Sequence, residues 1–404
     1  MRGMSSNVRI QGLLVAVVIS GVGDLLFDLY IAWTLAVQYD TIMAAAGLIG
    51  ASLLFRAILA LFLGTVVDRY SKRRLLVASN AGSVVVLATF MVVGDYAISS
   101  VGFAVALVLV NDVFNELFSR AYIVSASMLS LEKEFIRFQA RATVGLRVVA
   151  TVGMVLAGWL ISVLSGQQVI AVDLVSFCLC GVVCFFVAPS VSVSDGAVRH
   201  LPAPFADLKL MLRRIFRDRY LLSFTTLMLV LNLAYGFVPQ LFPLILAREE
   251  SSSFDLGWLR AGIAIGEICG LLVMERLAAH VRGLFVISMV GCGVTVAVAG
   301  LDISLIAGAV LLALYGAFDA LSQPLFSHTV MMIDSSERGR VLGGVDAIIL
   351  LTPTLGILVG SRLAEYGTWC AGLFVSLVFV AGLVLMFSLP GIQSVGSVVE
   401  KEKK

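Results

Sequence analysis

The chain has 404 residues, of which 60% are hydrophobic and 13% charged, with a net charge of +2. A soluble domain is about 45–50% apolar and about 25% charged, so a soluble protein of this length is excluded: too little polar surface is present to cover such a core. The small net charge says little about partners, and the chain has no long basic run of the kind that grips nucleic acid.

The apolar residues fall in long blocks, as helices in lipid require. The first block, roughly 11–37, is too long for a signal-peptide core and carries Asp24 and Asp28, so it is expected to be retained as a first span. A span needs about 20 apolar residues. Twelve such stretches can be laid out, at roughly 11–37, 41–63, 75–94, 99–126, 139–164, 168–188, 220–247, 257–278, 283–300, 304–327, 341–363 and 368–389. The longest connection, about 189–219, holds Pro189, Pro202 and Pro204 and then a basic amphipathic stretch from Phe205 to Arg219, which reads as a helix on the membrane surface. The expected organisation is an N-terminal six-helix bundle over 1–188, a cytoplasmic linker over 189–219, a C-terminal six-helix bundle over 220–390 and a cytoplasmic tail over 391–404. The fold class is all-α membrane protein, twelve transmembrane helices in two pseudo-symmetric bundles. With the N-terminal tail inside, most of the 28 basic residues fall on the cytoplasmic side, which places both termini in the cytoplasm.

Ionisable residues inside spans are costly, about 2.5–3.5 kcal/mol at mid-bilayer on insertion scales, and face a bundle interior or a wet cavity. Asp24 and Asp28 sit one turn apart in span one. Asp112, Glu116 and Arg120 repeat that spacing in span four, beside Asn111 and Asn115. Arg56 lies in span two, Arg147 in span five, and Glu267, Asp319 and Asp346 in spans eight, ten and eleven. Burial disfavours the charged carboxylate, so proton coupling is one reading of the set and helix-locking salt bridges the other. Asp24 and Asp28 are the first candidates for coupling, since two carboxylates one turn apart share protons; Asp112, Glu116, Arg120 and Arg147 complete the candidate set. Phe27, Tyr30, Trp33, Asn232, Tyr235, Glu267, Phe318, Asp319 and Gln323 are candidate walls of a substrate cavity. Pro239, Pro243, Pro324 and Pro353 can kink spans seven, ten and eleven. His328 reads as structural, and so do the six cysteines, all in apolar segments; Cys178, Cys180 and Cys184 lack nearby histidines and do not read as a metal site. No cofactor is expected. The chain has neither a HExxH nor a GxSxG motif, nor a Walker motif, so neither an enzyme nor an ATP-driven pump is expected.

The second cytoplasmic loop reads Gly64-Thr-Val-Val-Asp68-Arg69-Tyr-Ser-Lys72-Arg73. It resembles the G-x-x-x-D-R-x-x-[KR]-[RK] signature of the major facilitator superfamily, in the same place between spans two and three. The resemblance implies that Gly64, Asp68, Arg69, Lys72 and Arg73 latch one conformation. Asp173-Leu-Val-Ser176-Phe177 in span six and Asp334-Ser-Ser-Glu337-Arg338-Gly339-Arg340-Val341 in the tenth loop are similar to the macrolide- and siderophore-efflux branch. Two motifs depart from the pattern: span five has Gly145, Gly153 and Gly158 without the proline common in exporters, and the eighth loop keeps only Met274-Glu275-Arg276 of the first motif. The resemblance implies a monomeric secondary transporter of the cytoplasmic (inner) membrane. It exchanges protons for amphipathic small molecules such as drugs or siderophores by alternating access around a midplane site. Spans one, four, seven and ten, which carry Asp24, Asp28, Asp112, Glu116 and Asp319, would line that site. An uptake symporter on the same fold, and a lipid or metabolite facilitator without proton coupling, are the alternatives.

Overall fold

In the computed structural model, the described residues are 6–39, 41–94, 99–129, 132–189, 213, 215–250, 252–277, 281–301, 304–326, 345, 348–349 and 351–388, with side chains of 6–7, 60–61, 64–65, 68–69, 127, 129, 132–147, 248–250, 275–277 and 388 left aside. They form thirteen α-helices: α1 Ser6–Gln38, α2 Ile42–Arg69, α3 Lys72–Val93, α4 Val101–Leu129, α5 Glu132–Val163, α6 Gly166–Val187, α7 Arg219–Phe237, α8 Phe242–Glu250, α9 Ser253–Leu277, α10 Val281–Ala299, α11 Leu305–Ala320, α12 Thr352–Ala364 and α13 Thr368–Ser388. Among the described residues, ten segments are long and apolar enough to cross a membrane. The two remaining expected spans fall on α5 and α12, whose described apolar stretches are short. One expected span is built from two helices: α7 ends at Phe237 and α8 begins at Phe242, with Pro239 in the gap, because proline lacks the amide that would continue the ladder.

The other prolines also sit at interruptions. Helix α11 stops at Ala320, and the turn at Leu321 and Ser322 precedes Pro324. Pro353 occupies the first turn of α12, where its missing N–H is not needed. Polar caps set other ends. Ser165 and Gln168 form a capping box at α6, and Asp218 accepts from the amides of Tyr220 and Leu221 at α7, each satisfying amides that a helix start leaves open. Gly94 closes α3 at φ 58°, a backbone shape that a side chain at this position would strain.

The chain divides into two units, Met1–Tyr39 with Ala51–Leu201, and Asp40–Gly50 with Pro202–Lys404. The first turns of α2 group with the second unit. The surface stretch Phe205–Arg219 falls largely outside the described residues, as do His328, Asp346 and the Asp334–Val341 loop.

In the first unit α6 packs on α1 and α3, and α3 on α4. The core joins Leu13 and Ala16 of α1, Leu76 of α3, Ala121 of α4 and Cys180 and Cys184 of α6. The contacts here are large side chains set on glycine. The Phe114 ring lies over Gly82, Asn80 over Gly181, and Asp173 with Ser176 over Gly23.

The second unit is knit differently, backbone against backbone. Gly262, Gly266 and Gly270 of α9 face the carbonyls of Ala309, Ala313 and Ala317 of α11, and Gly316 returns the contact to Ile263. Small residues every fourth position let the two backbones meet, which makes α9–α11 the most extensive pairing in the molecule. Gly356 of α12 likewise faces Leu233 of α7, and Gly236 of α7 faces Pro353. Between α10 and α13, Thr368 donates to Gly300 at 2.9 Å and Ser376 to Gly293 at 2.7 Å.

Gly266→Val is therefore expected to be severely destabilising. A β-carbon there meets the Ala313 carbonyl, and backbone cannot yield as a side-chain tip does. The cost belongs at the upper end of the overpacking range, about 3 kcal/mol. Thermal unfolding of the purified protein in detergent reads it; an unchanged midpoint would show that the helices separate freely. Gly283→Val, at a glycine with open space around its α-carbon, is the control.

Candidate functional site

The first unit concentrates its charge where α1, α4 and α6 carry acids and α2 carries an arginine. The four-residue spacing of Asp24 and Asp28 places them on one side of α1. Asp24 accepts from the Asn115 amide of α4 at 3.1 Å and from Ser20 at 3.5 Å. Asp28 is exposed. Asp112 of α4 is buried, 2% exposed, and is met by α2: Arg56 Nε at 2.6 Å on one oxygen, Ser52 Oγ at 2.6 Å on the other. The charges of Asp24 and Asp28 also act on Arg56, so one guanidinium on α2 serves acids on two helices. Glu116 pairs with Arg120 one turn on, at 2.8 Å.

The two readings of the sequence thus divide by residue. Asp112, Glu116 and Arg120 are ion-paired within the unit, while the hydrogen bonds found for Asp24 come from neutral donors. The side chain of Arg147 lies outside the described residues. Two further residues join the set. Arg56 was placed in span two by the sequence but given no role. Asp173 of α6 entered only through a short motif; its side chain packs over Gly23, the residue before Asp24, and Ser176 Oγ reaches it. A carboxylate in the middle of an apolar span was the available signal.

The aromatic residues of span one do not all behave as expected. Phe27 is 1% exposed and packs edge-on against Phe90 of α3, ring centroids 5.3 Å apart. It packs in the core of the first unit, about 100° around the helix from Asp28. Tyr30 sets its hydroxyl over Gly166, and Trp33 is half-buried.

In the second unit the expected wall residues Tyr235, Glu267 and Asp319 gather around Tyr315 of α11, joined by Cys292 of α10 and Ser322. Tyr315 and Ser322 went unremarked in the sequence, since a tyrosine or serine in an apolar run carries no periodic signal. Asn232 is taken up by its own helix, donating to the Met228 carbonyl at 2.8 Å, and Gln323 is exposed beyond the α11 break. The Phe318 ring lies over Gly291, a packing role. Among the described residues no group of three or more His, Cys, Asp or Glu is placed to hold a metal ion.

The profile of the Major Facilitator Superfamily matches residues 13–331. The chain belongs to that superfamily. It is a multi-pass membrane protein with the fold of secondary transporters. Solved structures agree in fold. A bacterial homologue of the human lysosomal transporter Spinster matches with a TM-score of 0.68 at 12% identity, covering 99% of each chain. The nucleoside transporter NupG matches with a TM-score of 0.64 at 14% identity, over 94% of this chain and 98% of that one. The E. coli fucose:proton symporter FucP matches with a TM-score of 0.58 at 14% identity, over 95% and 98%. No curated protein matches the chain in sequence.

The superfamily loop motif between α2 and α3 is partly visible. Lys72 is fully buried, its ammonium donating to the Val67 and Tyr70 carbonyls at the end of α2. Arg73 donates through Nε and Nη2 to the Ala188 carbonyl at 3.0 and 2.9 Å, and Arg9 donates to Val187 at 2.8 Å. Two cations thus cap the carbonyl end of α6, where the helix dipole is negative. The surroundings of Gly64 and the side chains of Asp68 and Arg69 lie outside the described residues.

Arg56→Ala strands Asp112 as a buried, uncompensated charge. The expected loss is about 3 kcal/mol, the low end for breaking a buried pair, because 37% of the Arg56 side chain is exposed. Arg56→Met with Asp112→Leu should restore much of it. A double-mutant cycle on detergent-solubilised protein measures the coupling; additive losses would show that the pair is not energetically linked.

Proposed function

We propose that the chain is a proton-coupled exporter of amphipathic small molecules such as drugs or siderophores, an antiporter working by alternating access, with Asp24 and Asp28 as the coupling carboxylates. The observation that supports this reading is the inequality of Asp24 with Asp112 and Glu116, beside the exposure of Asp28. Asp112 and Glu116 are held by arginines, whereas Asp24 is held by an amide and a hydroxyl, and Asp28, one turn on, is exposed. A carboxylate exposed within a span has to meet water rather than lipid, so this pair is where a proton can enter and leave. Asp112, Glu116, Arg120 and Arg147 set the field around it. Tyr30, Trp33, Asn232, Tyr235, Glu267, Asp319 and Gln323 remain the substrate-facing candidates. Gly64, Asp68 and Arg69 are assigned the latch, with Lys72 and Arg73 anchoring its loop. The protein is assigned to the cytoplasmic (inner) membrane as a monomer with both termini inside.

Uptake symport is the second reading, favoured by the absence of the exporters' proline from the Gly145–Gly158 region of α5. Facilitation without coupling is the third.

Everted vesicles with an imposed proton gradient and a fluorescent amphipathic dye separate the three. Antiport accumulates dye inside the vesicle against the proton flow, symport drives it the opposite way, and a facilitator equilibrates it without regard to the gradient. In Asp24→Asn/Asp28→Asn, gradient-driven movement is expected to fall to the level of protein-free vesicles, with the protein still monodisperse. Full gradient-driven transport in that variant would overturn the assignment of the coupling carboxylates.

A further inference from the structure

Asp173 lies inside the apolar span Gly166–Val187 and is fully buried, 0% exposed. Its surroundings decide what form the carboxyl takes. Among the described residues no ion pair includes it. The charges acting on it come from Asp24 and Asp28 of α1, both acidic. The cations at the start of α3, Lys72 and Arg73, are engaged with the carbonyls of Val67, Tyr70 and Ala188, and Asn80 of α3 faces Gly181. The described side chains of α5, from 148 to 163, include no ionisable group. On its own helix only Cys178, Cys180 and Cys184 titrate.

The hydrogen count then matters. Ser176 Oγ lies 2.7 Å from the Asp173 backbone carbonyl and 3.2 Å from its Oδ1. A hydroxyl has one hydrogen to donate, and the shorter contact takes it. With the serine hydrogen so placed, a protonated Oδ1 would complete the longer contact by donating to the serine lone pair. Oδ2 is buried with no hydrogen-bond partner. A neutral carboxyl bears one unpaired carbonyl oxygen at modest cost, but an ionised one so placed would be an uncompensated charge in hydrocarbon. Gly23 makes the arrangement possible, because a β-carbon at 23 would collide with Asp173 Oδ1 and Ser176 Oγ.

We infer that Asp173 is a second proton-binding residue of the Asp24 site, carrying its proton against Ser176 across the bare backbone of Gly23. Its part in transport rests on the proton-coupled reading above; its protonation does not.

Infrared difference spectroscopy of the purified full-length protein, titrated with pH in water and heavy water, tests this directly. At neutral pH the wild type is expected to show the carbonyl stretch of a buried protonated carboxyl, shifted by deuterium. Asp173→Asn loses that band, while Asp24→Asn keeps it but moves the pH at which it disappears. Ser176→Ala, which leaves the carboxyl in place, shifts the band's frequency and supplies the answer if the asparagine variant does not fold. A band unchanged in both Asp173→Asn and Ser176→Ala overturns the inference, and so does its absence from the wild type. For the role in transport, Asp173→Asn is expected to lose gradient-driven dye movement while retaining dye equilibration; unaltered gradient-driven movement removes Asp173 from the coupling. If the band vanishes in Asp173→Asn yet Asp24→Asn/Asp28→Asn transports fully, the proton on Asp173 stands and the coupling assignment falls.

Discussion

Arg56 reaches from α2 to Asp112 of α4 across a contact of 2.6 Å, with Ser52 closing the second carboxylate oxygen. A buried charge in a membrane protein has few ways to be tolerated, and this pair takes the best of them, a charge-assisted hydrogen bond with each acceptor oxygen occupied. The rest of the first unit is arranged around it. Arg56 is bonded to Asp112, and the charges of Asp24 and Asp28 act on it as well, while the hydrogen bonds found for Asp24 come from Asn115 and Ser20. The same residue therefore locks α2 to α4 and sets the field in which the acids of α1 work.

The two units solve the packing problem with different chemistry. In the first, glycine makes room for a functional group: Gly23 for Asp173 and Ser176, Gly82 for Phe114, Gly166 for the Tyr30 hydroxyl. In the second, glycine makes room for backbone, along Gly262, Gly266 and Gly270 and again at Gly236 and Gly356. Lipid offers no hydrophobic drive between helices, so close van der Waals approach has to supply the cohesion. Asp319, Cys292, Tyr235 and Glu267 of the second unit act on Tyr315.

Much of this was readable in the amino-acid order. Intramembrane carboxylates at i and i+4 announced a polar side of α1 and α4, and Pro239, Pro324 and Pro353 marked places where helices stop. Other features required the third dimension. Phe27 and Asp28 are adjacent in sequence, yet one packs in the core on Phe90 and the other is exposed, since the direction of each depends on where α3 lies. Partner choice was equally hidden: Arg56 and Asp112 are far apart in the chain, and nothing in either local pattern selects the other. The motif around Asp173 was visible as a likeness to relatives, but that its carboxyl abuts Gly23 was not. The glycine stripe of α9 stood in plain view at four-residue spacing, and what concealed its meaning was the need for a matching alanine row on α11.

That row also imposes an order of assembly. Helix α9 ends at Leu277 and α11 begins at Leu305, so during synthesis the glycine face of α9 enters the bilayer before its cover exists. Until α11 follows, the exposed backbone of α9 is faced by lipid or by a transient companion. The seam closes by lateral association of helices already inserted, which makes the C-terminal unit a structure that completes itself late, and makes the interval between Leu277 and Leu305 the stage at which a membrane chaperone would find a surface to hold.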